Sequence, residues 1–251
     1  MIKFFRNIRK NLLSKGKTAN YLKYAIGEIV LVMIGILLAL QVNNWNEVRK
    51  DNIRKNLLLK SLKVEFSLNL NQLDSVLYFD NLVVKSTYRF LHLDENEWVA
   101  NNTDSLRVLL QSTSWLWTFD AQNGALRSGI SSGDIHLIKN DSLINLLFSW
   151  QDVVADAKEN EDRSINLRLD SYEVLDRFIR SVDYRSVEHV KLGKSKFYSD
   201  YQALINDPLF EDYIQKRYSF TLDAVNELKL VKKQNIKILE LIDQEINHNK
   251  E

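Results

Sequence analysis

The chain has no cysteine, a single proline and only seven glycines among 251 residues. Without cysteine there is no disulfide, no thiolate metal site, no cysteine nucleophile and no lipid-modified cysteine anchor. Sandwiches and barrels need turn residues at every corner, so the scarcity of Gly and Pro points to long helices. Charge of one sign is also lacking outside the N-terminal stretch. Residues 1–42 hold seven Lys/Arg against one Glu, a net of +6, and the remainder carries a net of −5. A mildly acidic, sign-mixed domain lacks the clustered Lys/Arg that phosphate contacts require, so nucleic acid is not an expected partner.

Catalytic signatures are missing too. The four histidines, His92, His136, His189 and His248, lie far apart, and none has a second histidine two to five residues away. The chain contains no His-Glu-x-x-His, no Gly-x-Ser-x-Gly and no calcium loop. Gly124 and Gly129 have the spacing of a phosphate loop, but Ile130-Ser131 stands where Lys-Ser/Thr is required. No cofactor and no metal are expected, and carboxylates such as Glu159, Glu161 and Asp162 read as a solvated helix face. The expectation is a protein that is not an enzyme. The alternative is a membrane-anchored enzyme whose site is formed by dispersed residues around 115–143.

What the chain does have is an almost unbroken apolar run at 25–42, followed by Asn43-Asn44-Trp45-Asn46. Eighteen helical residues span roughly 27 Å, close to the hydrocarbon thickness of a bilayer. A helix closes all its backbone hydrogen bonds within itself, as lipid demands. We therefore expect a basic arm at 1–24, a transmembrane helix at 25–43 and a helical soluble domain at 44–251. Ile2, Phe5, Ile8 and Leu12 recur at helical spacing among the basic residues of the arm, the pattern of an amphipathic helix lying on an anionic leaflet. The basic excess favours a cytoplasmic N-terminus. Within the span, Glu28 is either a snorkelling carboxylate or, with the small face Gly35-x-x-x-Ala39, part of a helix-pairing surface.

Beyond the span, Ile53, Leu57, Leu62, Phe66, Leu70, Leu73, Leu77 and Val84 predict a long helix over about 46–93, with a break possible at Asn43-Asn44. Short helices are expected at about 103–113, 121–131 and 198–206. Further long helices are expected at about 140–182, with Asn140 as cap and Leu143, Leu147, Trp150, Leu169 and Leu175 among its buried positions, and at 208–247, entered through Asp207-Pro208. Asn235 falls on the apolar seam of the last helix, where a polar residue can set register. Trp115, Trp117 and Phe119 form the densest aromatic patch. Together with Asn123, Ser132, Gly133 and Asp134 they mark the candidate recognition region, with core packing as the plainer reading of the aromatics. The fold class is all-α: one N-terminal transmembrane helix followed by an elongated antiparallel helical bundle.

Several stretches carry a family likeness: Met1-Ile2-Lys3-Phe4-Phe5-Arg6, Tyr24-Ala25-Ile26-Gly27-Glu28-Ile29, the run from Gly35 to Asn46, and Ser132-Gly133-Asp134-Ile135-His136-Leu137-Ile138-Lys139-Asn140-Asp141-Ser142-Leu143. With these the chain resembles an uncharacterised family of bacterial membrane proteins, domain of unknown function 6090, found mainly in Bacteroidota. The resemblance implies a single-span inner-membrane protein and supplies no activity, cofactor or catalytic residue. The whole reading is a membrane-anchored interaction module, a scaffold, accessory or sensory subunit of the bacterial envelope. Its domain is expected to be periplasmic, and its partners the lipid bilayer and a protein partner or a homo-oligomer.

Overall fold

The computed structural model describes residues 18–93, 103–184 and 194–248. The amphipathic arm expected at the N-terminus, the polar loop at 94–102 and His189 lie outside them. The described residues are mostly helical and contain no strand. In chain order they form α1 (Thr18–Leu91), α2 (Thr103–Thr113), α3 (Gly124–Ser132), a 3₁₀ turn (Asp134–Leu137), α4 (Asp141–Phe178), α5 (Ser181–Tyr184), α6 (Tyr201–Ile205) and α7 (Pro208–His248). Contacts divide the chain into two compact units, Met1–Asn56 and Leu57–Glu251.

The first unit carries the apolar run, on a helix long and apolar enough to cross a membrane. None of the most apolar stretch is buried within the protein, and its large apolar side chains from Ile26 to Val42 are exposed. The expected break at Asn43-Asn44 does not occur; α1 runs through it. Asn43 donates its side-chain amide to the Glu47 carboxylate one turn on at 3.2 Å. A side chain engaged along the helix does not compete for the backbone.

In the second unit, α1 buries Leu59, Leu62, Phe66, Asn69, Leu73, Val76, Asp80 and Val83, at alternating steps of three and four. Leu57 belongs to another phase of the helix and is 60% exposed, and Leu169 on α4 likewise faces outward. These correct the buried positions expected from local periodicity. Lys63 and Asp74 of α1 pair with Asp243 and Lys232 of α7, each at 2.6 Å, so α7 runs antiparallel to α1. Gln234 of α7 reaches Leu146 O and Ser149 Oγ of α4, while Thr221 meets Ser164 at 3.3 Å; α7 is antiparallel to α4 as well. The first and second long helices are therefore parallel, and the connection between them must travel back along the bundle.

The helix ends follow ordinary capping chemistry. Asn140 accepts from Leu143 N at 3.0 Å. Asp207 accepts from Leu209 N and Phe210 N at the start of α7, with Pro208 in the first turn where no amide donor is needed. Gly133 ends α3 at φ 77° and gives its N–H to Ile130 O at 3.2 Å. A left-handed φ strains any residue carrying a Cβ. Replacing Gly133 by Ala is expected to cost about 1 kcal/mol. At Gly124, a Cβ would meet only the Glu65 carboxylate, at 3.7 Å, and Gly124→Ala is expected to stay within about 0.5 kcal/mol of the parent. Denaturant unfolding of the two variants in detergent checks the contrast.

Candidate functional site

The candidate recognition region is built on the return connection. After Thr113 the chain leaves helical geometry and does not resume it until Gly124. A half-buried extended segment has peptide groups on both sides and no neighbouring strand to pair with them, and a buried unpaired amide or carbonyl costs on the order of 1–3 kcal/mol. The side chains of the three long helices supply the missing partners.

From α1, Asn69 makes a two-point contact with Gln122, donating to its carbonyl at 2.9 Å and accepting its N–H at 2.8 Å. One turn on, Gln72 does the same with Asp120 once its amide is oriented to satisfy both groups, donating at 2.9 Å and accepting at 3.3 Å. Glu65 accepts from Ala125 N at 2.6 Å and Leu126 N at 3.0 Å. It thus caps α3 from another helix, a position where an anion also meets the positive end of the helix dipole. Asn123, which precedes α3, makes no cap bond of its own; its side-chain oxygen accepts from the Trp150 indole at 3.0 Å.

From α4 and α7 come the charged partners. Glu161 accepts the Phe119 N–H at 2.9 Å, and Arg168 donates to Ser114 O at 2.9 Å. Arg217, with no exposed surface, donates to Thr113 O at 3.2 Å, Trp115 O at 2.5 Å and Ser164 O at 3.3 Å, and also to the Ser164 hydroxyl. Asp80 is 5% exposed and Glu161 3%. Burial pushes Asp80 up to about 7, opposed by the nearby Arg217 charge. Burial likewise pushes Glu161 up to about 7, opposed by the Phe119 N–H and reinforced by Asp80. Burial presses Arg217 downward, against the pull of Tyr213 and Asp80.

These groups form a polar layer between two apolar clusters. Leu59 to Leu77, Leu143 to Ala157 and Val225 to Ile242 make one cluster; Leu175, Ile179, Phe210, Tyr213 and Ile214, with Leu110, make the other. On α4 and α7 the polar residue sits between the two, and on α1 Asp80 falls near the end of the first. The expected solvated face therefore needs one correction: Glu161 is interior, whereas Glu159, Asp162 and Arg163 are exposed. Its phase carried the signal, because 143, 147, 150, 154, 157, 161 and 164 step by three and four. Arg217 and Asp80 likewise fall on the apolar phases of α7 and α1.

The candidate recognition residues separate on folding. Phe119 is 2% exposed and lies edge-on to Trp150, with ring centroids 6.4 Å apart. Trp117 is 45% exposed and stacks on Phe79 at 4.2 Å with the planes 5° apart. Trp115 is half-buried and meets the same Phe79 edge-on at 5.6 Å. Ser132 and Gly133 are exposed at the end of α3, and Asp134 is half-buried in the turn after it. His136 is exposed and tilted toward Phe148. Among the described residues no group of three His, Asp or Glu side chains is placed to hold a metal ion. In the first unit, Glu28 lines a shallow groove with Ala25, Ile29 and Val32. Gly35 faces open space and Ala39 is exposed.

Residues 28–150 match a family of unknown function, DUF6090. The DUF6090 match spans just under half of the chain. It takes in Glu28, Gly35, Ala39, the α1 side of the cradle and the whole extended segment, and ends at Trp150, before Glu161, Arg168 and Arg217. No curated protein matches the chain, and no solved structure does.

Two outcomes follow from this arrangement. Arg217→Met leaves the Thr113 and Trp115 carbonyls without their buried donor and removes the positive charge near Asp80, so a loss of about 3–5 kcal/mol is expected. Limited proteolysis reads it as faster cutting within 114–123. For pH, the folded-state value of Glu161 lies above its ordinary 4.5. Its contribution is therefore fully present below that value and lost as pH rises through about 7. Glu161→Gln, which keeps an acceptor for Phe119 N–H, should flatten that decline and leave the variant more stable than the parent at pH 8. Denaturant midpoints at pH 5, 6.5 and 8 measure it.

Proposed function

We propose that this protein is a membrane-anchored helical interaction module, serving as a scaffold, accessory or sensory subunit of a bacterial envelope. The observation that carries the reading is the Trp117–Phe79 stack. A segment whose backbone is held by side chains from three helices presents a large aromatic at the surface in one orientation. A preordered, half-exposed Trp suits a partner-binding anchor, because little conformational entropy remains to be lost on association. The long apolar helix supports a membrane setting. The basic N-terminal arm and the family resemblance favour an inner-membrane anchor with the helical domain on the periplasmic side. Glu28, Gly35 and Ala39 supply a second surface for helix pairing within the bilayer.

A membrane-anchored enzyme is the second reading. It is favoured by Asp80 and Glu161, two buried carboxyl groups both raised to about 7, a feature that active sites share with structural charge networks.

A photo-crosslinking residue at position 117 in the full-length chain, activated in intact membranes, tests the binding reading. A discrete protein adduct is expected there, with none from the same residue at exposed Asp170. Labelling of lipid alone, or equal adducts at both positions, counts against it.

A further inference from the structure

The outward face of α1 carries an apolar stripe that the protein's own core does not use. Leu57, Val64, Asn71 and Tyr78 recur every seven residues. Between them, at steps of four and three, fall Ser61, Leu68, Ser75 and Leu82. Leu57 is 60% exposed, Val64 61%, Leu68 46% and Tyr78 61%. A soluble helix ordinarily shows charge on the face opposite its core. Among the described residues, α4 and α7 expose apolar side chains only singly: Phe148 and Leu169 on one, Leu209, Leu230 and Ile236 on the other. The stripe is peculiar to α1.

We propose that this stripe is the seam of a parallel two-stranded coiled coil with a second copy of the same chain. Three observations select that occupant. The first is the spacing. Apolar side chains at five of the eight 3–4 positions, with only small Ser or Asn at the other three, suit another helix, whose side chains interlock at that period, better than a lipid surface. The second is charge. In a parallel symmetric pair each seam residue faces its own counterpart, so any charge there repels itself. Residues 57–82 contain Lys60, Lys63, Glu65, Asp74 and Asp80, and none of the eight seam positions is among them. Lys63 and Asp74 are instead committed to α7. The third is the anchor. The seam lies on the helix that also carries the membrane-crossing run. Copies inserted with one topology therefore run parallel and meet at the raised effective concentration that confinement provides. Asn71 in the seam sets register by pairing with its own copy, and Ser75, whose hydroxyl is already donated to Asn71 O at 3.1 Å, needs no water there. The proposal rests on the reading of the protein as a membrane-anchored interaction module, and names the partner as the chain itself.

The cysteine-free chain makes the test direct, since each introduced thiol is the only one. Val64→Cys and Asn71→Cys, in the full-length protein in membranes and again in mild detergent, are expected to form disulfide-linked dimers on oxidation. The yield should exceed that from exposed Asp170→Cys on α4 and Lys233→Cys on α7 by about tenfold or more. Adding Val64→Glu and Leu68→Glu, both exposed and outside the two apolar clusters, should abolish the dimer formed through Asn71→Cys while leaving protease resistance unchanged. Equal crosslinking at all sites, no dimer from the seam, or a seam adduct with a different protein would each overturn the proposal. The adduct sought at position 117 is read independently, so failure of the seam and failure of the binding reading remain distinguishable. Retention of the glutamate variants in alkaline-washed membranes separates both from a failure of the anchor.

Discussion

An extended stretch of backbone packed against helices has no natural hydrogen-bond partner, and the second unit is organised around supplying one. Side chains stand in for a neighbouring strand. Asn69 and Gln72, one turn apart on α1, each offer a donor and an acceptor to a single residue of the segment, so the amide groups meet alternate residues, Gln122 and Asp120. Glu65 and Glu161 take the amides at 125, 126 and 119, and Arg168 and Arg217 take the carbonyls at 113–115. The division is chemical: carboxylates accept, guanidinium groups donate, and the neutral amides do both. The need for this cradle follows from topology. Because α1 and α4 are parallel, their connection must travel back along the bundle, and between α2 and α3 it does so as extended chain.

The same contacts explain a polar layer that interrupts an otherwise continuous apolar interior. Two carboxyl groups and one guanidinium withdrawn from water are a costly arrangement, and well-packed hydrophobic groups are often at least as stabilising. Here the layer fixes register. Arg217 engages Ser164 on α4 and the segment at Thr113 and Trp115, so sliding α7 by one turn would strand all of them. An apolar seam alone tolerates such shifts more readily; Asn235, buried further along the same helix with its side-chain amide unpaired among the described residues, takes no part in this lock.

Much of the scaffold was legible from the order of residues. The apolar run announced a helix able to cross a membrane. Asn140, Asp207 and Pro208 announced their helix starts, and the lack of Gly and Pro announced long helices. The interior charges were not read, because Glu161 sits among Glu159, Asp162 and Arg163, and composition there argues for solvent while phase argues for burial. Phase won. Leu57 and Leu169 show the converse, apolar residues that local spacing assigned to a core they do not reach. The extended segment itself carries no periodic signal, since its partners lie up to 104 positions away; only the assembled helices reveal why Asn69 or Gln72 is polar.

That separation also dictates an order of events during synthesis. Glu65 and Asn69 can engage the segment as soon as residue 126 exists. The carbonyls at 113 and 115 must wait for Arg217, made some ninety residues later, and until then the aromatic stretch between them has half its supports. The closing contact belongs to α7, made after both α1 and α4, so the segment laid down between those two is completed only once a third helix has been added.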